Sequence, residues 1–393
     1  MATSSRMSKT STKELMWQAT DIAGKKGVSG GERGAVAVGT SGLSEGAPEW
    51  RRRVEASQKF VECGYESILN NRSYDSGSTY EEELGGAEGF RRSFSCRVLS
   101  LDEREMVVDL VGLHPALANA LRRIIMAEIP TMAIETVYVQ RNTSLIPDEV
   151  LAHRLGLVPL RVNPDHFEYK GPGDTPTDIN TLVFNLAVRA DPHKPRTLVL
   201  SRDLQWDPQG NQEEILAPAP EPIEGEVLIA KLAGEDQEIR VTCHAHKGLG
   251  KDHMKFSPVA PVYYRLLPHI SLARPFLAQE ALRLRDTCPM GVFDVEDVAG
   301  TATATVARPR NCSLCRECIR DPAWRKDISV QRVKNHFIFT IESVGAVPPQ
   351  ELFRKALDVL SSKADAILQE FAKVSDDASS PPSFSSATSS ANR

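Results

Sequence analysis

Two amphipathic helices, predicted far apart in the chain, constrain its fold more than any other feature. The first is predicted to begin near Pro115 and to end before Pro130, because proline cannot continue a helix. The second is predicted over residues 350–372, after a Pro-Pro pair that favours a helix start. Apolar residues recur at helical spacing in both: Leu117, Ala120, Leu121, Ile124 and Ile125 in the first, and Phe353, Ala356, Leu360, Ala364, Ile367 and Phe371 in the second. Because a long amphipathic helix usually buries such a stripe against another helix, we expect a helix–helix interface, within the chain or with a partner.

Predicted strands accompany both helices. Residues 105–111 (EMVVDLV) and 134–141 (IETVYVQR) flank the first helix, and residues 336–344 (HFIFTIESV) precede the second. We therefore predict an α+β fold in which residues 89–141 and 331–374 form one discontinuous domain of a sheet and two helices.

The remaining segments differ in composition. Residues 142–330, with a clear strand at 181–188, are less regular and richer in Pro and Gly, which predicts an inserted mixed, mainly β domain. Residues 1–88 are rich in Gly, Ser and charge, and we expect a low-complexity, partly disordered extension. Residues 375–393 are Ser-rich and hold too few apolar groups to offset the entropy of ordering, so we predict a disordered tail.

Composition and charge exclude several classes of protein. Hydrophobic residues are 41% and charged residues 25% of the chain, as in soluble globular proteins. The net charge of −5 argues against a free-standing nucleic-acid binder, which needs a basic face to displace counterions. No run approaches the roughly 20 apolar residues of a membrane span, and the first residues contain no apolar signal core. We therefore expect a soluble, intracellular protein with no membrane association.

Catalytic patterns are missing from the sequence. It contains no phosphate-binding GxxxxGKS/T loop and no visible carboxylate triplet for polymerase magnesium. His153 and Arg154, near Asp148 and Glu149, suggest acid/base chemistry, but a helix whose polar side chains anchor neighbouring backbone explains them better. We therefore predict no catalytic residues.

A possible zinc site lies among four residues in the middle of the chain. They are Cys243, His244, His246 and His253. Their spacing matches no closed tetrahedral zinc pattern, so a polar segment is the favoured interpretation.

The most specific signal is the run over residues 119–159, NALRRIIMAEIPTMAIETVYVQRNTSLIPDEVLAHRLGLVP. It resembles the signature of the archaeal and eukaryotic RNA polymerase subunits that are related to bacterial alpha. A second block, GLGKDHMKFSPVAPVYYRLLP over residues 248–268, also resembles this alpha-like family. The signature positions that match include Asn119, Leu121, Arg122, Arg123, Ala133, Val137, Asn142, Ser144, Asp148, Glu149, Leu151, Ala152, His153, Arg154, Gly156 and Pro159.

The resemblance implies a role for each part of the predicted fold. The discontinuous domain would be a dimerisation domain that pairs with a smaller alpha-like subunit, and the heterodimer would dock the second-largest polymerase subunit. The implied dimerisation residues are Leu117, Leu121, Ile124, Ile125, Phe353, Leu360, Ile367 and Phe371. The signature residues that are candidates for docking, or for internal structure, are Asn119, Arg122, Arg123, Asn142, Asp148, Glu149, His153, Arg154 and Gly156.

The class of polymerase follows from the insert. The polymerase II member of the family carries a zinc-binding cysteine group early in the insert, whereas residues 161–190 of this chain contain no cysteine. The block at residues 248–268 also resembles the form shared by polymerases I and III. The resemblance thus implies a non-catalytic scaffold in the nucleus, including the nucleolus, that supports rRNA, tRNA and 5S transcription. It would meet DNA only through the assembled complex.

Four of the seven cysteines suggest a ferredoxin-like metal site. In two-cluster ferredoxins a cubane takes three cysteines from a C-x2-C-x2-C run and the fourth from a distant Cys-Pro. Here Cys312, Cys315 and Cys318 supply the run, and Cys288 is followed by Pro289. This predicts one four-cysteine site within residues 288–318.

Three occupants of this site stay open from sequence. A single [4Fe-4S] cluster leaves negative charge, which nearby Arg308, Arg310, Arg316 and Arg320 would offset. Zinc also accepts four thiolates, and a remnant without metal is the third possibility.

Two alternative functions start from the same cysteines. One is an iron–sulfur or zinc-containing redox protein. The other is a zinc-knuckle nucleic-acid module around residues 308–326 (RPRNCSLCRECIRDPAWRK). Both predict activity of the isolated chain, whereas the scaffold interpretation predicts association with large polymerase subunits.

Overall fold

The computed structural model of the chain describes Pro48 and residues 59–69, 86–234, 236–298 and 300–379. Most of the predicted extension, and the predicted tail beyond residue 379, lie outside these residues. The strands are β1 Phe60–Cys63, β2 Ile68–Leu69, β3 Ser95–Leu101, β4 Glu105–Val111, β5 Pro130–Asn142, β6 Leu160–Arg161, β7 Leu182–Arg189, β8 Thr197–Leu200, β9 Leu204–Asp207, β10 Glu221–Pro222, β11 Leu228–Leu232, β12 Glu238–Leu249, β13 Val259–Leu272, β14 Phe293–Val298, β15 Thr301–Val306 and β16 Ile328–Ser343. The helices are α1 Gly86–Ser93, α2 Pro115–Ala127, α3 Asp148–Gly156, α4 Gln212–Ile215, α5 Gln279–Thr287 and α6 Pro349–Ser379. The predicted α+β class is confirmed.

The chain divides into two compact units, and their boundaries differ from those of the predicted discontinuous domain and insert. Of the described residues, the first unit contains those up to 122 and those over 261–342, and the second contains those over 123–260 and 343–379. The cysteine segment therefore belongs to the same unit as β3, β4 and β16, whereas the sequence had suggested an insert of 142–330. The reason is that β13 pairs with β16, which brings the chain after residue 260 onto that sheet.

The first unit is built on a six-stranded sheet. Its order is β2-β1-β16-β4-β3, and β13 also pairs with β16. Strands β4 and β16 are antiparallel, from Val111 opposite His336 to Glu105 opposite Glu342. Two strands that are far apart in sequence thus lie side by side in the centre of this sheet.

Two strands of this sheet come from the predicted N-terminal extension. Strand β1 pairs with β16, and Phe60 lies opposite Val333. Phe60, Val61 and Cys63 are buried, so residues 59–69 belong to the folded unit. The prediction of a low-complexity extension over residues 1–88 is therefore wrong for this stretch, because a four-residue strand is too short to show a periodic pattern.

The second unit contains a four-stranded sheet in the order β5-β12-β7-β9. The long strand β12 pairs with both β5 and β7, and its inward residues join a core with Phe184 and with Leu151 and Leu155 of α3. The predicted strand at 134–141 is present as part of β5. It pairs with β12 in this four-stranded sheet and not with β4 or β16. Helix α6 begins with Leu352 and Ala356 buried and continues to Ser379, past its predicted end.

Candidate functional site

The two predicted dimerisation stripes differ in exposure. On α2, Leu121, Ile124 and Ile125 are buried within the single chain and Leu117 is half-buried. On α6, Phe353 and Leu360 are half-buried. Farther along α6, apolar side chains are exposed: Ile367 is 58%, Leu368 65% and Phe371 70% exposed. The chain therefore covers most of the α2 stripe itself and leaves the α6 stripe exposed from Ala364 to Phe371.

An ion pair lies beside this open stretch of α6. Lys363 Nζ lies 2.6 Å from Glu128 Oε1, so α6 passes the residue that follows α2. The exposed stretch of the stripe thus begins beside an ion pair within the second unit.

Asn142 organises the loop between β5 and α3. Its Nδ2 donates to the carbonyl of Ile146 at 2.9 Å and to Asp148 Oδ1 at 2.7 Å. Its Oδ1 accepts hydrogen bonds from the backbone N–H and the hydroxyl of Ser144 at 3.1 and 2.7 Å. Asn142 and Asp148 therefore hold this loop and the start of α3, which gives both signature residues an internal role.

Arg154 and Gly156 attach α3 to its own unit. Arg154 Nε donates to the carbonyl of Ile229 at 2.8 Å, and its Nη2 donates to the carbonyl of Leu228, so the guanidinium binds β11. Gly156 is buried, and a Cβ there would lie 3.3 Å from the carbonyl oxygen of Ile134. The missing side chain lets α3 end close against β5.

Of the α2 signature residues, Asn119 and Arg122 bind each other. Arg122 Nε and Nη2 donate to Asn119 Oδ1 at 3.2 and 3.0 Å, whereas Arg123 is exposed. This pairing lies within one turn of the helix.

Glu149 and His153 are exposed signature residues on α3. They lie one turn apart, and both face solvent. Apolar side chains at Leu145, Val150 and Leu157 are exposed beside them. We call these five residues the α3 surface. It combines apolar contact area with charge, as protein interfaces do.

The four predicted metal ligands line one cavity. Cys288 follows α5, Cys312 and Cys315 lie in the loop after residue 308, and Cys318 lies in a short 3-10 turn. Apolar side chains of Ile270, Met290, Val292, Phe293 and Val330 complete the wall. The four cysteines thus line the same cavity, and the four-cysteine metal site stays a prediction.

Backbone donors point at two of these sulfurs. The Leu314 N–H donates to Cys312 Sγ at 3.4 Å, and the Val292 N–H donates to Cys288 Sγ at 3.5 Å. Leu314 and Arg316 have φ values of 60° and 67°, in the left-handed region, which turns the loop tightly between the cysteines. Such donors stabilise a thiolate more than a thiol.

The thiols lie close enough to influence one another. Burial, and then the neighbouring Cys312, Cys288 and Cys315, raise the pKa of Cys318 to about 12. Burial is also the main cause that raises the pKa of Cys312. The raised pKa values favour the protonated form of Cys312 and Cys318. Among the residues that the structure describes, no three or more His, Cys, Asp or Glu side chains are arranged around one metal position.

The four nearby arginines do not surround the cysteines equally. Arg316 lines the cavity and donates to a carbonyl in the β1–β2 turn at 3.1 Å. Arg308 donates to the carbonyl of Gly291 at 2.8 Å, and Arg320 pairs with Glu317. Arg310 binds Asp109, as described below. Of the four, Arg316 is the one that lines the cavity, and the side chains of Arg308, Arg310 and Arg320 bind other groups. That they offset the charge of a cluster stays a prediction.

Another arginine, distant from the cysteines in sequence, has Cys312 among the charged groups that influence it. Arg265 on β13 has a lowered pKa because it is part-buried and near Arg310, while Cys312 and Asp109 act in the opposite direction. Arg265 lies on β13, which pairs with β16 in the sheet of the first unit. Sequence spacing around the cysteines contains no signal for it.

The alternative zinc group on β12 is not assembled. Cys243 faces the core with no exposed surface, whereas His244 and His246 alternate with it and lie on the other face of the strand. His253 Nδ1 accepts a hydrogen bond from the backbone N–H of Lys255. The interpretation of these four residues as ordinary polar positions is consistent with this placement.

Among the described helices, none is both long and apolar enough to cross a membrane.

Comparison with models of protein families identifies the family of this chain. The model of the RNA polymerase Rpb3/Rpb11 dimerisation domain matches residues 107–364, well over half of the chain. This chain belongs to the Rpb3/Rpb11 family. The match includes α2, the α3 surface and the first half of α6, and the resemblance of the signature to alpha-like subunits is confirmed.

Individual relatives of this Rpb3/Rpb11-family chain carry polymerase names. The human "DNA-directed RNA polymerases I and III subunit RPAC1" is 39% identical over 334 residues, which are 81% of this chain and 96% of that protein. The subunit of the same name in Dictyostelium discoideum is 39% identical over 72% of this chain and 84% of its own length. The one in Saccharomyces cerevisiae is 38% identical over 77% and 95%. The alternative of a redox or nucleic-acid-binding protein gains no support from these relatives.

Proposed function

We propose that this chain is a non-catalytic assembly subunit of DNA-directed RNA polymerases I and III. The observation that carries the proposal is its similarity, across most of both chains, to subunits named as shared by these two enzymes. In this role the chain contributes to the activity of the complex without an active site of its own.

The partner of the dimerisation domain would be a smaller alpha-like subunit. The exposed residues Ile367, Leu368 and Phe371 support this, because an apolar stripe on a long helix is stabilised when another helix covers it. Of the predicted dimerisation residues, Ile367 and Phe371 are the most exposed. Buried Leu121, Ile124 and Ile125 would act through the chain's own packing.

The second-largest polymerase subunit would dock on the α3 surface. Glu149 and His153 are exposed there, whereas Asn142, Arg154 and Gly156 are used internally. The signature thus separates into residues that build α3 and residues that α3 presents.

Affinity purification of the full chain from cell extract is expected to recover the large subunits of polymerases I and III together with a smaller alpha-like subunit. The double substitution Glu149→Ala/His153→Ala is expected to lower recovery of the second-largest subunit about tenfold or more, since truncating central interface residues typically costs over 1 kcal/mol each. Recovery of the smaller subunit should not change.

The matched control for this experiment is Glu168→Ala, an exposed carboxylate elsewhere in the second unit. It should leave recovery of every subunit unchanged. Recovery of polymerase II subunits alone, or of no large subunit, would refute the proposed function. Equal recovery by the α3 double variant would refute the docking site only.

The location of the chain follows from the same proposal. A subunit of polymerases I and III would be nuclear, and its polymerase I fraction would be nucleolar, where it would support rRNA synthesis. The polymerase III fraction would support tRNA and 5S synthesis. Contact with DNA would be through the assembled complex, in keeping with the net charge of −5.

We further propose that Cys288, Cys312, Cys315 and Cys318 hold one metal centre, either a [4Fe-4S] cluster or zinc. Four thiols lining one cavity, backbone N–H donors to two sulfurs and the part-buried Arg265 all suit thiolates. The centre would supply cross-links between remote segments. These would stabilise a part of the unit that has little regular structure.

Anaerobic purification is expected to yield either about four iron and four sulfide, or about one zinc, per chain. Cys315→Ser should lower the metal content and the melting temperature, because one of four ligands is lost. Cys96→Ser is the matched control, since Cys96 lies on β3 outside the cavity. A colourless wild-type chain without stoichiometric iron, sulfide or zinc would show that the cysteines are a remnant without metal.

A further inference from the structure

An ion pair between a half-buried arginine and a buried carboxylate connects the cysteine loop to the centre of the six-stranded sheet. Arg310 Nη1 and Nη2 donate to Asp109 Oδ2 and Oδ1 at 2.9 and 2.8 Å. His336 Nε2 lies 3.2 Å from the same carboxylate. Asp109 is on β4 and His336 on β16, so two neighbouring central strands meet the loop at one point.

The environment of Asp109 makes this contact strong. Its side chain is only 9% exposed. Burial alone would raise the pKa of Asp109, but His336 and Arg310 outweigh it and lower the pKa to about 2. A fork-shaped, two-bond pair between guanidinium and carboxylate fixes geometry as well as charge. Removing Arg310 would leave a buried carboxylate with its main partner lost.

The other charged contacts of the loop are weaker. Arg308 meets Asp294 at 3.4 Å with both side chains about half exposed, and Arg320 meets Glu317 in a similarly exposed pair. Exposed ion pairs of this kind contribute little to the free energy of folding. Residues 307–320, which are described throughout, contain short 3-10 turns and no strand. The loop therefore depends on side-chain attachments for its position.

The attachment through Arg310 lies close to the cysteines in sequence. It lies two residues before Cys312, the first cysteine of the C-x2-C-x2-C run. We propose that Asp109 and Arg310 form a clasp that positions the cysteine loop on β4, so that both are positioning residues for the four-thiol site. Its functional meaning rests on the proposed metal centre, but the clasp itself acts on the thiols whether or not metal is bound.

Thiol labelling of the full chain, reduced and treated with a chelator, tests the clasp. Iodoacetamide is added in pulses, and mass spectrometry follows Cys312 and Cys318. Asp109→Asn and Arg310→Gln are each expected to speed labelling about tenfold, the lower end expected for losing a hydrogen bond to a charged group. The double variant should label about as fast as either single variant, because both substitutions remove one shared interaction.

Controls separate positioning from general stability. Asp294→Asn, on β14, removes the exposed ion-pair partner of Arg308 in the cysteine loop. It should not change the rate of thiol labelling. Cys243, buried in the second unit, should stay protected in every variant. Arg310→Lys keeps the charge but loses the fork, so it should give an intermediate rate and covers the case in which Arg310→Gln does not fold.

Unchanged labelling in the single variants would overturn the proposal. So would a double variant faster by the product of the two single effects, which would show that the residues act independently. Equal acceleration at Cys243 would also overturn it, since the pair would then stabilise the whole chain. Metal analysis of the untreated protein is a separate measurement, so failure of the metal proposal and failure of the clasp can be told apart.

Discussion

Replacing Ile367 or Phe371 by Asp is expected to weaken binding of the smaller alpha-like subunit strongly and to leave the melting temperature of the isolated chain unchanged. Both side chains are more than half exposed, so an aspartate there is solvated in the single chain. In an interface the same carboxylate would be buried without a partner, which costs several kcal/mol. Since 1.4 kcal/mol is a factor of ten, we expect binding to weaken about a hundredfold or more.

Titration of the purified partner onto each variant measures the binding affinity. Thermal unfolding measures the melting temperature of the isolated chain. Gln369→Asp is the matched control, because it adds the same charge to the same turns of α6 outside the apolar stripe. Ile124→Asp should behave in the opposite way: Ile124 is 3% exposed, so the charge should unfold the chain before any partner is met. Normal partner binding by both Ile367→Asp and Phe371→Asp would exclude the end of α6 from the interface.

Acidification from about pH 7 to pH 4 is expected to lower the free energy of unfolding by up to about 3 kcal/mol through His246 alone. Burial is the largest cause that lowers the pKa of His246 to about 4, and the charges of Lys170, His244 and Lys255 act in the same direction against Glu135. The unfolded value is near 6.5. Below that pH the unfolded chain takes up a proton that the folded chain excludes, so stability is present above pH 6.5 and is lost as the pH falls toward 4.

Urea unfolding at a series of pH values measures this slope. His246→Gln should flatten it between pH 6.5 and 4, whereas the exposed His193→Gln should not. The lowered pKa of Asp109 acts in a separate window, since the stability that it provides is lost only as the pH falls from about 4 through about 2. An unchanged slope in His246→Gln would show that His246 is protonated in the folded chain or that other groups dominate.

Local patterns in the sequence were sufficient for the elements and the family. The strand predicted at 105–111 coincides with β4, and the first helix begins at Pro115 as its proline indicates. The spacing of Cys312, Cys315 and Cys318 with the distant Cys288 predicted a group that lines one cavity. These features depend on residues within a few turns, or on a motif, so they can be recognised without knowing what packs against them.

Pairing and burial were decided by the tertiary structure. Nothing in its four residues identifies β1 as part of a sheet until β16 lies beside it, and the strand at 134–141 gives no sign that its neighbour is β12. The same amphipathic pattern is buried on α2 and exposed at the end of α6, because burial depends on which distant segments cover a helix face. The sequence marks Arg154 as a candidate for docking or for internal structure, and only the tertiary structure shows its hydrogen bonds to the carbonyls of β11. Periodicity determines which face of an element is apolar, but long-range contacts determine what that face touches.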